Sequence, residues 1–326
     1  MGYFLGIDGG ATRTTAWVAD ARGRVVGRGR AGPSNPVKAG YAAVQREILR
    51  AAQAAIRPRR GTPWRAPTIV NRQPTIGNRL EAVVAGLSGA DHPTVHRDIL
   101  GWLRRAIPAR RHLLTTDAAL VLEAALGEAP GIIVISGTGS IAFGRDLRGH
   151  VLRAGGWGIP YDDFGSGYDL GRRAIIAALQ DYDQRGPHTV LTERLRRHFR
   201  LKSIPRIVVR APAQHEVAAL FPLVLEAARQ GDPVARQLCH AAGEDLARLA
   251  VTLVRRLGWR RRKFPVVCAG GVFKASATIR RVFARQLRAY APGTSVRLLR
   301  REPVEGALDL ARRLPSLRVP PDHSWV

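Results

Sequence analysis

The sequence is poor in cysteine and has no long apolar run. Its two cysteines, Cys239 and Cys268, are too few and too far apart for a zinc site or a disulfide framework. No apolar stretch approaches the roughly 20 residues that cross a bilayer, and the apolar run at 3–7 lacks the flanks of a signal peptide. These absences argue against a disulfide-rich secreted domain and against a membrane partner, so we expect a cytoplasmic protein.

Acidic residues are also scarce, with 25 against 52 basic residues and a formal net charge of +27. Such an excess raises the question of nucleic acid or an anionic membrane surface. Almost all of the basic residues are arginines, however, and they are scattered along the chain without interleaved aromatic residues. We therefore expect a solvated basic surface and no specific nucleic-acid function. The run at 260–263 is the segment best suited to contact a polyanion.

One pattern occurs twice in the chain. The first copy is LGIDGGATRT at 5–14, and the second is IVISGTGS at 133–140. Each reads as a strand, a Gly/Thr turn and a returning strand, and each continues into a second turn, DARG at 20–23 and DLRG at 146–149. A chain of 326 residues also exceeds the size at which one core usually keeps growing. The sequence therefore predicts an internal duplication and two domains.

The two Gly-rich turns have the chemistry of phosphate-binding loops. Glycine leaves backbone N–H groups open, and threonine and serine hydroxyls add donors, so both turns can cradle phosphate oxygens. Asp8 ends a strand just before the first turn, where a carboxylate can hold Mg²⁺ against the phosphates of a nucleotide. Together the turns predict a nucleotide clamp.

Three further segments carry polar groups or glycines where predicted strands end or helices begin. Asp117 follows a strand and begins a helix, so it is either an N-cap or a base that takes a proton from a substrate hydroxyl. The loop at 155–168 is dense in glycine and acid, so it either contacts a polyhydroxyl ligand or provides a flexible, capped entry to a helix. Gly270 and Gly271 follow an apolar strand and suit a close approach to a flat ligand such as adenine.

Strand and helix patterns alternate after each meander, which predicts the α/β class with mixed sheets. Besides the strands of the second meander, strands are expected at 3–7, 14–19, 24–29, 82–87, 111–115 and 265–269. Helices are expected at 41–56, 94–107, 118–126, 166–179, 191–199, 217–229, 233–257, 278–291 and 304–313. The proline-rich stretch 57–78 has no predicted fold.

In combination, these motifs resemble those of a known family, the N-acetylglucosamine kinases and related BadF/BadG/BcrA/BcrD ATPases within the actin-like ATPase and sugar-kinase superfamily. The motifs that carry the resemblance are GIDGG at 6–10, GLSG at 86–89, TTDA at 115–118, SGTGS at 136–140, GGWG at 155–158, GSG at 165–167, AGGVF at 269–273 and PVEGAL at 303–308. The resemblance implies two ribonuclease-H-like domains, with mixed sheets flanked by helices and a cleft between them. The implied divisions are 1–116, 117–303 and a C-terminal helix and tail, 304–326, that can pack back on the first domain.

The resemblance also implies an ATP- and Mg²⁺-dependent enzyme that phosphorylates an amino sugar, N-acetylglucosamine or glucosamine, at O6. It makes Asp117 the general base, and Asp8 serves the nucleotide through the metal. The implied nucleotide-binding residues are Gly10, Thr12, Arg13, Gly137, Gly139, Gly270 and Gly271. The implied sugar-binding residues are Asn35, Thr138, Ser140, Gly156 and Asp163. Phe164 and Ile141 depart from the family pattern beside the sugar residues, so the identity of the sugar stays open.

Two other functions fit the same scaffold. An ATPase that activates acyl-CoA reductases or dehydratases would need cysteine thiolates for an iron-sulfur cluster, and none lies between Asp117 and Cys239. A non-enzymatic, sugar-responsive regulator would need a DNA-binding surface, and no helix-turn-helix extension precedes Gly10. The amino-sugar kinase is the expected function, and the oligomeric state, including a homodimer, stays open.

Overall fold

The computed structural model describes residues 2–10, 12–36, 40–57 and 80–316. Of the proline-rich stretch 57–78, only Arg57 is among the described residues. The chain divides into two compact units, unit 1 with residues 1–128 and 300–326, and unit 2 with residues 129–299. Within the described part of the chain, no helix is long and apolar enough to span a membrane.

Unit 1 contains a five-stranded mixed sheet in the order β3-β2-β1-β4-β5. Its strands are β1 (Tyr3–Gly9), β2 (Thr14–Asp20), β3 (Val25–Ala31), β4 (Leu80–Leu87) and β5 (Ala109–Thr115). The first three form an antiparallel meander, and β4 and β5 continue the sheet in parallel with β1. Its first helices are α1 (Tyr41–Ile56), α2 (Pro93–Ala106) and α3 (Asp117–Leu126).

Helix α1 lies directly on the sheet because β3 carries glycine where the two elements meet. A Cβ atom on Gly29 would lie 2.0 Å from the carbonyl oxygen of Ala51, and one on Gly27 would lie 1.8 Å from that of Ala55. Larger residues at these two positions would push the helix away from the strand. This contact buries the alanine-rich face of α1 and closes the core that supports the β1 turn.

Unit 2 repeats the topology of unit 1, with the strand order β10-β9-β6-β7-β8. The strands are β6 (Gly131–Ser136), β7 (Ser140–Arg145), β8 (Val151–Gly155), β9 (Phe264–Ala269) and β10 (Thr294–Leu298). The helices are α4 (Gly167–Tyr182), α5 (Leu191–His198), α6 (Arg206–Arg210), α7 (Gln214–Ala218), α8 (Phe221–Arg229), α9 (Pro233–Arg256), α10 (Gly271–Ala275) and α11 (Ala277–Tyr290). The duplication read from the sequence is therefore present in the fold.

The chain returns to unit 1 with helix α12 (Pro303–Arg313), which packs on β1 and α3. Glycine permits both contacts. A Cβ atom on Gly306 would lie 2.2 Å from the carbonyl oxygen of Leu120, and one on Gly6 would lie 2.8 Å from the backbone nitrogen of Leu308. The division between the units differs from the sequence expectation of a boundary at 116/117, because α3 packs on β4 and α12 and so belongs to unit 1.

Candidate active site

The turn after β1 is closed by its own backbone. The N–H of Gly10 donates to the carbonyl oxygen of Arg13 at 3.0 Å, and the carbonyl oxygen of Gly10 accepts from the N–H of Ser34 at 3.1 Å. The Thr14 hydroxyl donates to Ser34 Oγ at 2.8 Å. These bonds hold the turn in one shape and leave the side chains of Thr12 and Arg13 exposed to solvent.

Asp8 occupies the end of β1, where the sequence predicts a metal-binding carboxylate. Partial burial and the nearby carboxylate of Asp117 raise the pKa of Asp8 to about 7, with a further rise from Glu302 and an opposing effect of Arg13. Two carboxylates of unit 1, Asp117 and Glu302, therefore repel the charge of Asp8. A divalent cation would relieve this repulsion, because it favours the ionised form of each carboxylate.

Asp117 is the first residue of α3, but it is not the N-cap. The cap is Thr116, whose hydroxyl accepts a hydrogen bond from the N–H of Ala119 at 3.1 Å. Oδ1 of Asp117 accepts from the N–H of Ala118 at 2.9 Å. Burial raises the pKa of Asp117, and the carboxylate of Asp91 raises it further, whereas the hydrogen bond from Ala118 lowers it; the net shift is upward. The sequence offers two roles for Asp117, an N-cap or a base. Thr116 fills the capping role, and the base role stays a prediction.

Sequence reasoning did not identify Glu302 as part of this site. Glu302 is the N-cap of α12 and forms a capping box with Glu305, and its carboxylate contributes to the raised pKa of Asp8. The pattern Glu-Pro-Val-Glu at 302–305 does mark the start of a helix. Nothing in that local pattern places the helix start beside a strand almost 300 residues earlier.

The raised pKa of Asp8 predicts a signed pH effect on stability. A carboxyl group that keeps its proton longer in the folded state loses stability as pH rises from its unfolded pKa near 4 to about 7. In EDTA at pH 8, Asp8→Asn should therefore melt at a higher temperature than the wild type, and the difference should shrink towards pH 5. Thermal melts of both proteins at pH 5 and 8 test this, and a constant difference would contradict it.

In unit 2, the turn between β6 and β7 has open backbone donors. The N–H of Gly137 donates to the carbonyl oxygen of Gly139 at 2.9 Å, and the carbonyl oxygen of Gly137 accepts from the N–H of Gly167 at 2.8 Å. Among the described residues, nothing accepts a hydrogen bond from the N–H groups of Thr138 and Gly139. Two unsatisfied N–H groups on a Gly-rich turn are what a phosphate-binding loop needs.

Asp163 packs against this turn with backbone geometry that few non-glycine residues adopt. Its φ is 69°, and its side chain is buried. Oδ1 accepts from the N–H of Ser140 at 2.8 Å, and the Ser140 hydroxyl donates to the carbonyl oxygen of Phe164 at 2.8 Å. Burial raises the pKa of Asp163 despite the Ser140 hydrogen bond. Ser140 thus holds the Asp163 loop in place through both of its polar groups.

Gly156 lies in the same unit, held by Arg153. The guanidinium of Arg153 donates to the carbonyl oxygens of Gly155 at 2.9 Å and of Gly156 at 2.5 Å. Gly156 has φ 75°, and a Cβ atom there would lie 2.4 Å from Cδ1 of Ile141. The apolar Ile141 side chain therefore supports the Gly156 backbone. The sequence offered no signal for the role of Arg153, since arginine is abundant throughout.

Gly270 brings the end of β9 against the end of β6. It has φ 95°, and a Cβ atom there would lie 2.1 Å from the carbonyl oxygen of Ser136, the residue before the Gly137 turn. Gly271 follows as the first residue of α10. The two motifs that the sequence assigned to nucleotide binding in unit 2 are thus neighbours.

A pair of alanine variants tests this close approach. Gly270→Ala should lower the melting temperature and weaken nucleotide binding, because the new methyl group meets backbone atoms and the positive φ disfavours alanine. Gly271→Ala is the matched control, since a Cβ atom there meets nothing within 4 Å. Similar melting temperatures for the two variants in calorimetry would contradict the prediction.

The predicted site residues thus fall into two groups. Unit 1 contains Asp8, Gly10, Thr12, Arg13, Asn35 and Asp117, and unit 2 contains Gly137, Thr138, Gly139, Ser140, Gly156, Asp163, Gly270 and Gly271. Asn35 is buried next to Ser34 in unit 1, whereas the other four predicted sugar residues belong to unit 2. The roles assigned to these residues remain predictions.

The two cysteines lie in the core of unit 2. Burial raises the pKa of Cys239 to about 11 and that of Cys268 to about 12, so both are protonated thiols at neutral pH. Within the described ranges, no group of three or more His, Cys, Asp and Glu side chains could hold a metal by itself.

Comparison with known proteins identifies the family. The chain is 30% identical over 319 residues to an N-acetylmuramic acid/N-acetylglucosamine kinase of Clostridium acetobutylicum, covering 96% of this chain and 99% of that protein. It is 27% identical to an N-acetyl-D-glucosamine kinase of Dictyostelium discoideum, covering 94% and 97% of the two chains. A solved structure of a protein proposed to be an N-acetylglucosamine kinase, from Chromobacterium violaceum, superposes with a TM-score of 0.74 at 28% identity and covers 95% of this chain and 99% of its own.

These findings confirm the predicted actin-like sugar-kinase fold and the predicted enzyme class, an ATP-dependent phosphotransferase acting on an alcohol group. The model of the BadF/BadG/BcrA/BcrD ATPase family matches residues 5–311. That match covers nearly the whole chain, which belongs to the BadF/BadG/BcrA/BcrD ATPase family.

Proposed function

We propose that this chain is a kinase of N-acetylglucosamine or glucosamine, which transfers the γ-phosphate of ATP to the hydroxyl at O6. The proposal rests above all on Asp117. This carboxylate is partly buried and has a raised pKa. It does not cap α3, because Thr116 is the N-cap. A carboxylate with these properties suits a general base, because its pKa is shifted towards the pH at which it works.

The base role explains what the protein contributes to phosphoryl transfer. The reaction asks mainly for positioning and charge stabilisation, with one group oriented to accept the proton of the attacking hydroxyl. Asp117 would take that proton on its carboxylate while the N–H of Ala118 keeps Oδ1 oriented. The open N–H groups of Thr138 and Gly139 would bind phosphate oxygens.

The donor set near Asp8 fits Mg²⁺. Mg²⁺ is usually held by one or two carboxylates together with waters and substrate phosphates rather than by an all-protein cage. Asp8 offers one carboxylate, electrostatically coupled to Asp117 and Glu302, and no group of three ligating side chains exists among the described residues. The ion would neutralise developing negative charge on the transferred phosphate. Asp8 would hold it, directly or through water.

The Asp163 loop is the proposed sugar-binding element. Asp163 is buried, and the N–H of Ser140 fixes its Oδ1, so its second carboxylate oxygen can accept hydrogen bonds from sugar hydroxyls. Support for an amino sugar as the acceptor comes from the relatives, each of which is a kinase of N-acetylglucosamine, N-acetylmuramic acid or glucosamine.

A substrate screen tests the proposal. ADP release from Mg-ATP is followed with N-acetylglucosamine, glucosamine, N-acetylmuramic acid, N-acetylmannosamine and glucose. We expect the highest kcat/KM with N-acetylglucosamine or glucosamine. Equal rates with and without every sugar would contradict a kinase and favour a simple ATPase.

A further inference from the structure

A groove lined by arginine lies between α11 and the edge strand β10. It has a volume of about 580 Å³. Arg280, Arg281, Arg285 and Arg288 contribute to it from the helix, and Arg297 contributes from the strand. None of its lining residues is among the predicted nucleotide or sugar residues. The sequence predicts scattered arginines, but in this groove the helical spacing of 280–288 brings four of them together.

Helix α11 has no acidic residue to balance these charges. Its apolar residues Ile279, Val282, Phe283 and Leu287 are buried in the core of unit 2, which turns the arginines to the outer side. Positions 281, 285 and 288 follow each other at helical spacing. Like charges at such spacing repel one another and cost stability. A bound anion would offset that cost.

One carboxylate, Glu244 of α9, approaches the helix: it accepts from Gln286 of α11 at 3.0 Å and lies 3.5 Å from the His240 ring that Arg285 contacts. In the described part of the chain, no carboxylate forms an ion pair with any of the four on α11. Their partners are two main-chain carbonyls, a threonine hydroxyl and a histidine ring, from Phe273, Lys274, Thr278 and His240. Some exposed arginines elsewhere do form ion pairs with carboxylates, as Arg185 does with Asp183 at 2.7 Å and Arg197 with Glu193 at 2.5 Å.

The size and chemistry of the groove limit its ligand. Its floor is apolar, with Cys268, Val296 and Leu298, so the guanidinium groups form the rim. From Arg280 to Arg288 the helix rises about 12 Å, and the volume lies in the range of small-molecule pockets. Guanidinium groups bind phosphate through paired N–H donors. We propose that this groove binds a small anion with several adjacent phosphates.

Calorimetric titration with sodium tripolyphosphate tests the proposal. The groove variant is Arg281→Ala/Arg285→Ala/Arg288→Ala, and the matched control is Arg97→Ala/Arg185→Ala/Arg197→Ala, which removes the same charge from exposed, ion-paired positions. We expect the dissociation constant to rise at least about tenfold in the groove variant and to change less than threefold in the control. Sugar-kinase activity should stay unchanged in both, so this test is independent of the proposed function.

Three results would overturn the proposal. An equal loss in both variants would show that net charge alone attracts the anion. An unchanged affinity in the groove variant would place the anion elsewhere, for example at the turn of Gly137. Tighter binding of a single-stranded oligonucleotide than of tripolyphosphate, lost in the groove variant, would assign the groove to nucleic acid. If the triple variant fails to fold, the exposed single change Arg288→Gln is compared with Arg185→Gln, and we expect the dissociation constant to rise about threefold in the first and to stay unchanged in the second.

Discussion

The Asp117→Asn variant should lose at least about 10²-fold in kcat, the usual scale for removing a general base. Asparagine keeps the size of the side chain and can still accept from the N–H of Ala118, but it cannot take a proton from the attacking hydroxyl. The KM for the sugar should change much less, because the lost interaction belongs to the transition state. The melting temperature should not fall, since Thr116 and not Asp117 caps the helix.

Asp91→Asn is the matched comparison. Asp91 is exposed and acts on Asp117 through its charge alone, so its removal should lower the pKa of Asp117 slightly and leave kcat within a few-fold of the wild type. Steady-state kinetics on the best sugar separate the two variants. A near-normal kcat for Asp117→Asn would assign the base to another carboxylate, Asp91 if its variant is inactive and Asp163 if it is not.

The Asp8→Asn variant should lose roughly 10³-fold in kcat together with its normal response to Mg²⁺. Removing the charge leaves the metal without its proposed protein ligand, so the concentration of Mg²⁺ needed for half-maximal activity should rise. The loss should accompany a rise in melting temperature at pH 8, because the charge that is removed is unfavourable in the metal-free protein.

Asp20→Asn provides the control for a charge change at the other end of the same meander. Asp20 holds the turn at 20–24 by accepting from the N–H groups of Arg22 and Arg24, so its variant should be less stable and keep its kcat. Measurements of kcat as a function of Mg²⁺ concentration for both variants test whether Asp8 holds the metal. An Asp8→Asn enzyme with wild-type Mg²⁺ dependence would remove Asp8 from the metal site.

Much of the fold follows from local sequence. In both meanders the second and third strands are joined by a turn with Asp and Gly at matching positions, and the long helices show apolar residues at helical spacing. The type and approximate bounds of these elements are therefore as predicted. Prediction failed where the pattern was short or interrupted. The edge strand β10 has five residues, of which one, Thr294, is buried. The expected helix at 217–229 is broken into α7 and α8 before Pro222.

Part of the candidate site can also be predicted from the sequence, because several of its residues follow predicted strands. Asp8 stands at a strand end in unit 1. In unit 2 the Gly137 turn and Gly270 follow the parallel neighbours β6 and β9, whose carboxyl ends lie at the same edge of that sheet. Glu302 and Arg153 could not be read in this way. Glu302 approaches Asp8 because α12 returns to pack on β1, and Arg153 acts through main-chain carbonyls that any sequence possesses. Those contacts are set by tertiary packing rather than by local pattern.

Phosphorus NMR of the complete reaction tests the central claim most directly. Protein, Mg-ATP and N-acetylglucosamine are incubated, and the products are observed by proton-coupled ³¹P spectra. We predict one new phosphate monoester signal per ADP formed, coupled to the two protons on C6 of the sugar. Formation of ADP with an equal amount of inorganic phosphate, and no phosphate ester with this or any sugar of the screen, would contradict the assignment as an amino-sugar kinase.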